Sequence, residues 1–297
     1  MSFNDDVRID SGRASRGRRG GAGVAIGGGG GLLLLLLALV FDIPLDALAG
    51  GGDPGAGSAG GQEIEGGFEH CQTGADANEH VDCRIIATAE SLDVVWEEQL
   101  PAAGGPAYEP PGLTIFEGQV ATGCGTATSQ VGPFYCPADR TTYFDTGFFD
   151  TLRERFGAGE GPLAEQFVVA HEFGHHIEHQ LGLLDRAQRD PSGPESGAVR
   201  VELMADCLSG VWAHHATQAL DPESGEAFLR PLTEDDIADA LSAAAAVGDD
   251  RIQERVQGQV TPETFTHGTS EQRQSWFSRG YREGELAACD TFATDEL

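Results

Sequence analysis

Val168-Val169-Ala170-His171-Glu172-Phe173-Gly174-His175-His176-Ile177-Glu178-His179 is the stretch on which the reading of this chain turns. It lies within residues 163–181, whose apolar positions recur at helical spacing and which Gly182 stops. Residues four apart on a helix share a face, so His171 and His175 turn their imidazoles toward one point. Zinc accepts neutral imidazole nitrogens at ~2.0–2.1 Å. Glu172, beside the first histidine, reaches a water held at that point and can act as its general base. Gly174 leaves room for another segment to approach between the two histidines. Val168, Val169 and Ala170 give the apolar approach expected of a buried site helix. A solvated helix with incidental histidines also produces this five-residue match, so the rest of the chain must supply its context.

An open catalytic zinc site needs a third protein ligand. The metzincin pattern would place a histidine ten positions after His171, where Leu181 stands. The next helix, read over 199–219 beyond a loop at 186–197, carries Val201-Glu202-Leu203-Met204-Ala205-Asp206. Turned back through that loop, it presents Glu202 as the third ligand. Asp206, one turn further on the same face, can accept a hydrogen bond from a ligand histidine and fix its ring. Glu-x-x-x-Asp on the following helix is the gluzincin arrangement. His176 and His179 are offset from the ligand face, and His214 stands too far along its helix to ligate. For the oxyanion donor that peptide hydrolysis needs, His267 is the first candidate and Tyr281 the second. A structural cap or core polar group is the competing reading for both.

Around these segments the pattern predicts helices over 74–98, 148–156, 234–247 and 262–285, the last broken near Gly268. Strands are predicted over 113–120 and 141–144, with a loop at 121–140. The result is an α+β class: a mostly helical domain with a small sheet ahead of the active-site helix.

The 297 residues, 40% hydrophobic, allow one sizeable core. The chain has 18 arginines, no lysine and 48 acidic residues, a net charge of −30. So acidic a surface repels phosphates and sets nucleic acid aside as a partner. Residues 1–21 read as a basic cytoplasmic tail. The uncharged stretch 22–41, with six leucines at 32–37, reaches the ~20 residues a bilayer needs and reads as a transmembrane anchor. The positive-inside rule then puts the N-terminus in the cytoplasm and the rest outside. A signal peptide cut near Ala47-Leu48-Ala49 is the competing reading. Glycine-rich 42–67 reads as a linker, and 68–297 as the folded domain. Six cysteines without a CxxC pair fit disulfides in an oxidising compartment. They admit fifteen connectivities. One of these joins the local pairs Cys71–Cys83 and Cys124–Cys136 and leaves Cys207 and Cys289 for a long-range bridge.

With these residues in view, the chain resembles the bacterial neutral zinc metallopeptidase family of membrane-anchored proteins. The likeness runs through Arg18-Arg19-Gly20-Gly21 and the glycine-to-leucine run, and through Cys124-Gly125 with Gly132-Pro133-Phe134-Tyr135-Cys136-Pro137-Ala138-Asp139. It continues in His171-Glu172-Phe173-Gly174-His175-His176, Glu202-Leu203-Met204-Ala205-Asp206-Cys207 and His267-Gly268-Thr269-Ser270 with Gln272-Arg273. The resemblance implies a zincin fold with a gluzincin-type site, Zn2+ as cofactor and a peptide or protein substrate. Two function classes stand. One is an exported zinc endopeptidase, in which the Cys124–Cys136 loop and the 141–144 strand line the cleft and pair with an extended peptide. The other is a non-catalytic envelope protein with a structural zinc, whose fourth coordination position a side chain such as His176 or His267 would fill. Substrate sequence and oligomeric state are not written in these motifs.

Overall fold

In the computed structural model, which describes residues 2–17 and 67–297, these residues form nine α-helices and two small sheets. The helices are α1 (Gly74–Glu79), α2 (Val81–Ala102), α3 (Phe148–Glu154), α4 (Pro162–Gln180), α5 (Asp185–Arg189), α6 (Gly197–His215), α7 (Glu234–Ala246), α8 (Asp249–Gln257) and α9 (Ser270–Glu283). The strands are β1 (Ser15–Arg16), β2 (Gly112–Phe116), β3 (Gln119–Thr122), β4 (Gly125–Thr128), β5 (Phe134–Cys136) and β6 (Thr141–Asp145). The class is α+β, as the sequence pattern requires.

The helix ends follow local chemistry. Pro162 opens α4, where its missing N–H costs nothing. Ser196 caps α6 by accepting from the Val199 N–H at 3.2 Å. Thr269 and Gln272 close a reciprocal capping box on α9. Gly268 precedes this cap at φ 87°, and this left-handed turn cuts the predicted 262–285 helix into a 3-10 turn and α9.

Helices α2, α4, α6, α7 and α9 pack around one core that includes Leu92, Trp96, Phe167, Phe173, Leu203, Trp212 and Phe277. Glycine sets the closest approaches. A Cβ at Gly174 of α4 would lie 2.9 Å from the Cα of Ala205, so α4 and α6 meet backbone to backbone at the level of the site. At Gly280 of α9 a Cβ would fall 1.9 Å from the carbonyl oxygen of Cys207, which lets α9 rest directly on α6.

The main sheet runs β1-β2-β6-β5, with β1, β2 and β6 parallel and β5 antiparallel at the edge beside α4. The 141–144 strand, expected to pair with a peptide, is β6 and lies between β2 and β5, so both its edges are occupied. The sheet edge beside α4 belongs to β5. The predicted loop 121–140 contains β4 and β5. Those strands have four and three residues, too short to show an alternating pattern against their glycine and proline. The bridges Cys71–Cys83, Cys124–Cys136 and Cys207–Cys289 all form. Three disulfides point to an oxidising compartment.

The single-pass membrane localisation drawn from the sequence is overturned. No helix among the described residues is long and apolar enough to cross a membrane. More directly, the supposed cytoplasmic tail belongs to the domain it was to be separated from. Phe3 and Val7 are fully buried in the main core. The Ile9 N–H donates to the Gln72 carbonyl at 3.1 Å, and Arg13 pairs with Asp93 at 2.7 Å. Strand β1 aligns in parallel with Thr114 and Ile115. The Arg16 guanidinium lies 4.5 Å from the Phe68 ring centroid and donates to the Gly67 carbonyl at 3.3 Å. Chain packed this way cannot sit across a bilayer from its own core. The apolar residues Phe3, Val7 and Ile9 are diluted by charges and show no period, so only their distant partners reveal them as core. The proposed anchor at 22–41, the stretch 42–66 and the Ala47-Leu48-Ala49 site lie outside the described residues.

Candidate metal centre

His171 and His175 project from one face of α4, and Glu202 faces them from α6. The Nε2 atom of His171 is 3.2 Å from one Glu202 oxygen, and that of His175 is 3.5 Å from the other. The three donor atoms lie within 4.8 Å of one another, and all three side chains are buried. Two imidazoles and one carboxylate match zinc's preference, and their separations leave room for an ion between them. Among the described residues no fourth His, Cys, Asp or Glu joins this group.

Each histidine is held from behind by a carboxylate. The Nδ1–H of His171 donates to Asp206 at 2.9 Å, and that of His175 donates to Glu178 at 2.8 Å. These contacts fix the ring orientations, so that both Nε2 lone pairs face the centre once the rings are neutral. Asp206 is completely buried and grips Arg273 of α9 through two bonds, Nε at 2.7 Å and Nη2 at 2.8 Å. Glu178 is completely buried, with carboxylates and no arginine acting on it among the described residues, and burial drives its carboxyl well above the ordinary range. The two supporting carboxylates therefore differ: one is an ion neutralised by arginine, the other is pushed toward its neutral form.

The electrostatics of the ligands follow from burial against their neighbours. Burial alone would pull His171 down, but hydrogen bonds to Asp206 and Glu202 carry it up to about 9. His175 is lowered to about 4, chiefly by burial. Burial would raise Glu202, yet the surrounding histidines, His267 first, hold it well below the usual carboxylate range. Glu172 stands apart from the ligand trio. Burial lifts it to about 7 and the Tyr135 backbone N–H donates to it, so it is poised to exchange a proton near neutrality.

His267 also faces the cavity. Asp249 positions it, accepting from the backbone N–H groups of Thr266 at 2.7 Å, His267 at 2.6 Å and Gly268 at 3.0 Å. The His267 Nδ1 is engaged by Thr266 Oγ1 at 2.7 Å. Tyr281 is not brought to the site: its ring stacks on Phe277, and its carbonyl accepts from His214 at 2.8 Å. His176 and His179 turn to the opposite side, where the Tyr135 hydroxyl meets their Nδ1 atoms at 3.0 and 2.7 Å. Tyr135 thus ties strand β5 to α4 twice, by its N–H to Glu172 and by its hydroxyl to this histidine pair.

The family described as "Putative neutral zinc metallopeptidase" matches residues 3–292. The chain belongs to that family. Zinc is accordingly its metal, and the trio on α4 and α6 offers the donors for it. The match takes in residues 3–17, in keeping with their place in the core. Relatives include an uncharacterized protein of Mycobacterium tuberculosis, 52% identical over 230 residues that cover 77% of each chain. The uncharacterized protein YpfJ of Escherichia coli K12 is 43% identical over 213 residues, covering 70% of this chain and 69% of its own. No solved structure matches the chain.

Four contributors to the centre carry no role in the sequence reading, although three of them stand in quoted segments: Glu178, Arg273, Asp249 and the Tyr135 N–H. Glu178 had a readable signal, since it follows His175 by three positions on the same helix. The others reach the site only through the packing of α8, α9 and β5.

Proposed function

We propose that this protein is a zincin-like, zinc-dependent peptidase, with His171, His175 and Glu202 as ligands and Glu172 as general base. One observation carries this reading. Two histidines fixed by carboxylates converge with Glu202, while a fourth buried residue, Glu172, lies beside them without joining the trio and sits near neutral pKa. A structural site would close its fourth position with protein, whereas these donors leave it open.

Zinc, when bound, supplies Lewis acidity that polarises a carbonyl and makes water easier to deprotonate. Glu172 takes the water's proton and passes it to the leaving amine nitrogen. The Tyr135 N–H holds the carboxylate in place for both transfers. His267, with Nδ1 engaged by Thr266, directs Nε2–H toward charge developing on the carbonyl oxygen. A peptide laid along the outer edge of β5 finds mainly carbonyl acceptors, because Pro133 and Pro137 have no N–H and that of Tyr135 is given to Glu172.

The test is Glu172→Gln, assayed on a peptide library beside the unmodified protein. Zinc content and melting should be preserved while cleavage falls by about a hundredfold or more. A Glu172→Gln protein that cleaves as well as wild type ends this mechanism.

A further inference from the structure

The cavity at the metal centre is lined by more than the metal-facing residues. Its walls contrast with the rest of this acidic molecule. Val131 and Phe134 line it from the Cys124–Cys136 loop and β5, Phe148 from α3, Phe167 from α4, Val247 from the end of α7, and Ile252 from α8. The charged and titratable groups that reach it are all committed. His171, His175 and Glu202 form the metal trio, Glu172 is the proposed base, His267 is held by Thr266 and Asp249, and Arg273 is locked to Asp206. Among the described residues no other carboxylate or guanidinium lines it, in a chain with 48 acidic residues and 18 arginines.

We infer that this cavity selects a large, uncharged apolar side chain next to the scissile bond of a peptide substrate. The inference rests on the peptidase reading above. A charged side chain entering here would lose its water without gaining a partner. A leucine or phenylalanine side chain would exchange water for apolar walls. The walls are also preformed. The Cys124–Cys136 bridge ties the loop that carries Val131 to β5. Gly132 sits at φ 78° where a Cβ would press 3.1 Å from the Phe148 ring, so the loop and α3 are in close contact. Asp249 gathers the 266–268 turn with three backbone bonds. A preformed apolar site discriminates by size and polarity without ordering costs.

The experiment uses the zinc-loaded protein and a set of peptide hydroxamates that differ in one side chain: Gly, Ala, Leu, Phe, Lys or Asp. Calorimetry should show Leu and Phe binding about ten- to a hundredfold tighter than Ala, with Lys and Asp weaker than Ala. Ile252→Asp should reverse the order of Leu and Lys. If that variant does not fold, the wild-type ranking decides alone. Equal binding across the set, no binding, or a preference for a charged side chain overturns the inference. A parallel cleavage library separates the two readings. Cleavage without apolar preference removes this inference and leaves the peptidase. Apolar-ranked binding with no cleavage of any peptide removes the peptidase and leaves the pocket.

Discussion

Asp206 accepts the Nδ1–H of His171 at 2.9 Å while Arg273 holds both of its oxygens. Arg273 thereby supports the metal position through Asp206, and its Nη2 also lies 3.3 Å from the His171 Nδ1. It keeps Asp206 ionised and in place, and Asp206 keeps the imidazole aimed. Asp206→Ala should weaken zinc binding by about ten- to a hundredfold, read by competition against a chelator. Arg273→Met should do more damage to the fold than to the ligand set, because it strands a buried carboxylate, at a cost of about 3–5 kcal/mol. Arg273→Lys should not restore wild-type stability, since one ammonium cannot reproduce the forked pair. Full zinc affinity in Asp206→Ala would contradict this chain of support.

Zinc uptake should release a proton. With the ion removed by chelation, His171 titrates at about 9 and carries a proton at neutral pH, whereas His175, at about 4, does not. The ion requires both nitrogens neutral. Apparent affinity should therefore rise with pH by about tenfold per unit up to about 9, with about one proton released per zinc at pH 7. Calorimetry in two buffers of different ionisation enthalpy measures that count. Affinity unchanged between pH 6 and 8 would refute it.

Far from the centre, Glu90 takes the Asp10 N–H at 2.7 Å and lies among Asp10, Asp93 and Asp221. Burial, with help from these acids, raises its carboxyl from 4.5 to about 8. The folded state thus holds a proton that the unfolded chain has released. Stability is greatest below the unfolded value of 4.5 and falls as pH rises from there to about 8. Glu90→Gln keeps the acceptor and drops the charge, so it should melt higher than wild type at pH 8 to 9 and match it near pH 4. An identical pH slope in the two proteins would rule this out.

Phe3 is fully buried although it stands third in the chain. Phe3→Ala should cost about 3–5 kcal/mol in denaturant unfolding. Below the transition its zinc stoichiometry should remain that of wild type, because Phe3 belongs to the packing and not to the centre. A loss within a few tenths of a kcal/mol would mean that residues 2–17 contribute little to the core.

The legible part of the site was the part written locally. His171, Glu172 and His175 share a helix with a strong apolar period, and Glu202 and Asp206 share the next one. Two sturdy helices and the loop between them were enough to infer that the pairs would face each other. Arg273 was quoted as part of a motif, but nothing in its neighbourhood says that α9 will lie on α6. That contact depends on Gly210 and Gly280, whose missing side chains let two backbones touch. Strands β4 and β5 were unreadable because four and three residues among glycine and proline carry no alternation. Residues 2–17 misled for a related reason. Their arginines read as a topogenic signal, while the segment's true neighbours are Asp93, Gln72 and Phe68, some fifty to eighty positions away.

The meeting of Arg16 with Gly67 and Phe68 has a consequence for how the chain can be edited. The interval 18–66 is flanked by residues that meet at one seam, so its two ends can be joined directly. Deleting it and joining residue 17 to residue 67 through a few glycines should preserve every contact described above. The spliced chain should melt no lower than the parent. A spliced chain that binds zinc and melts at or above the parent would make residues 2–17 the first part of the domain in fact as well as in order. One that fails to fold would show that the seam needs its insert.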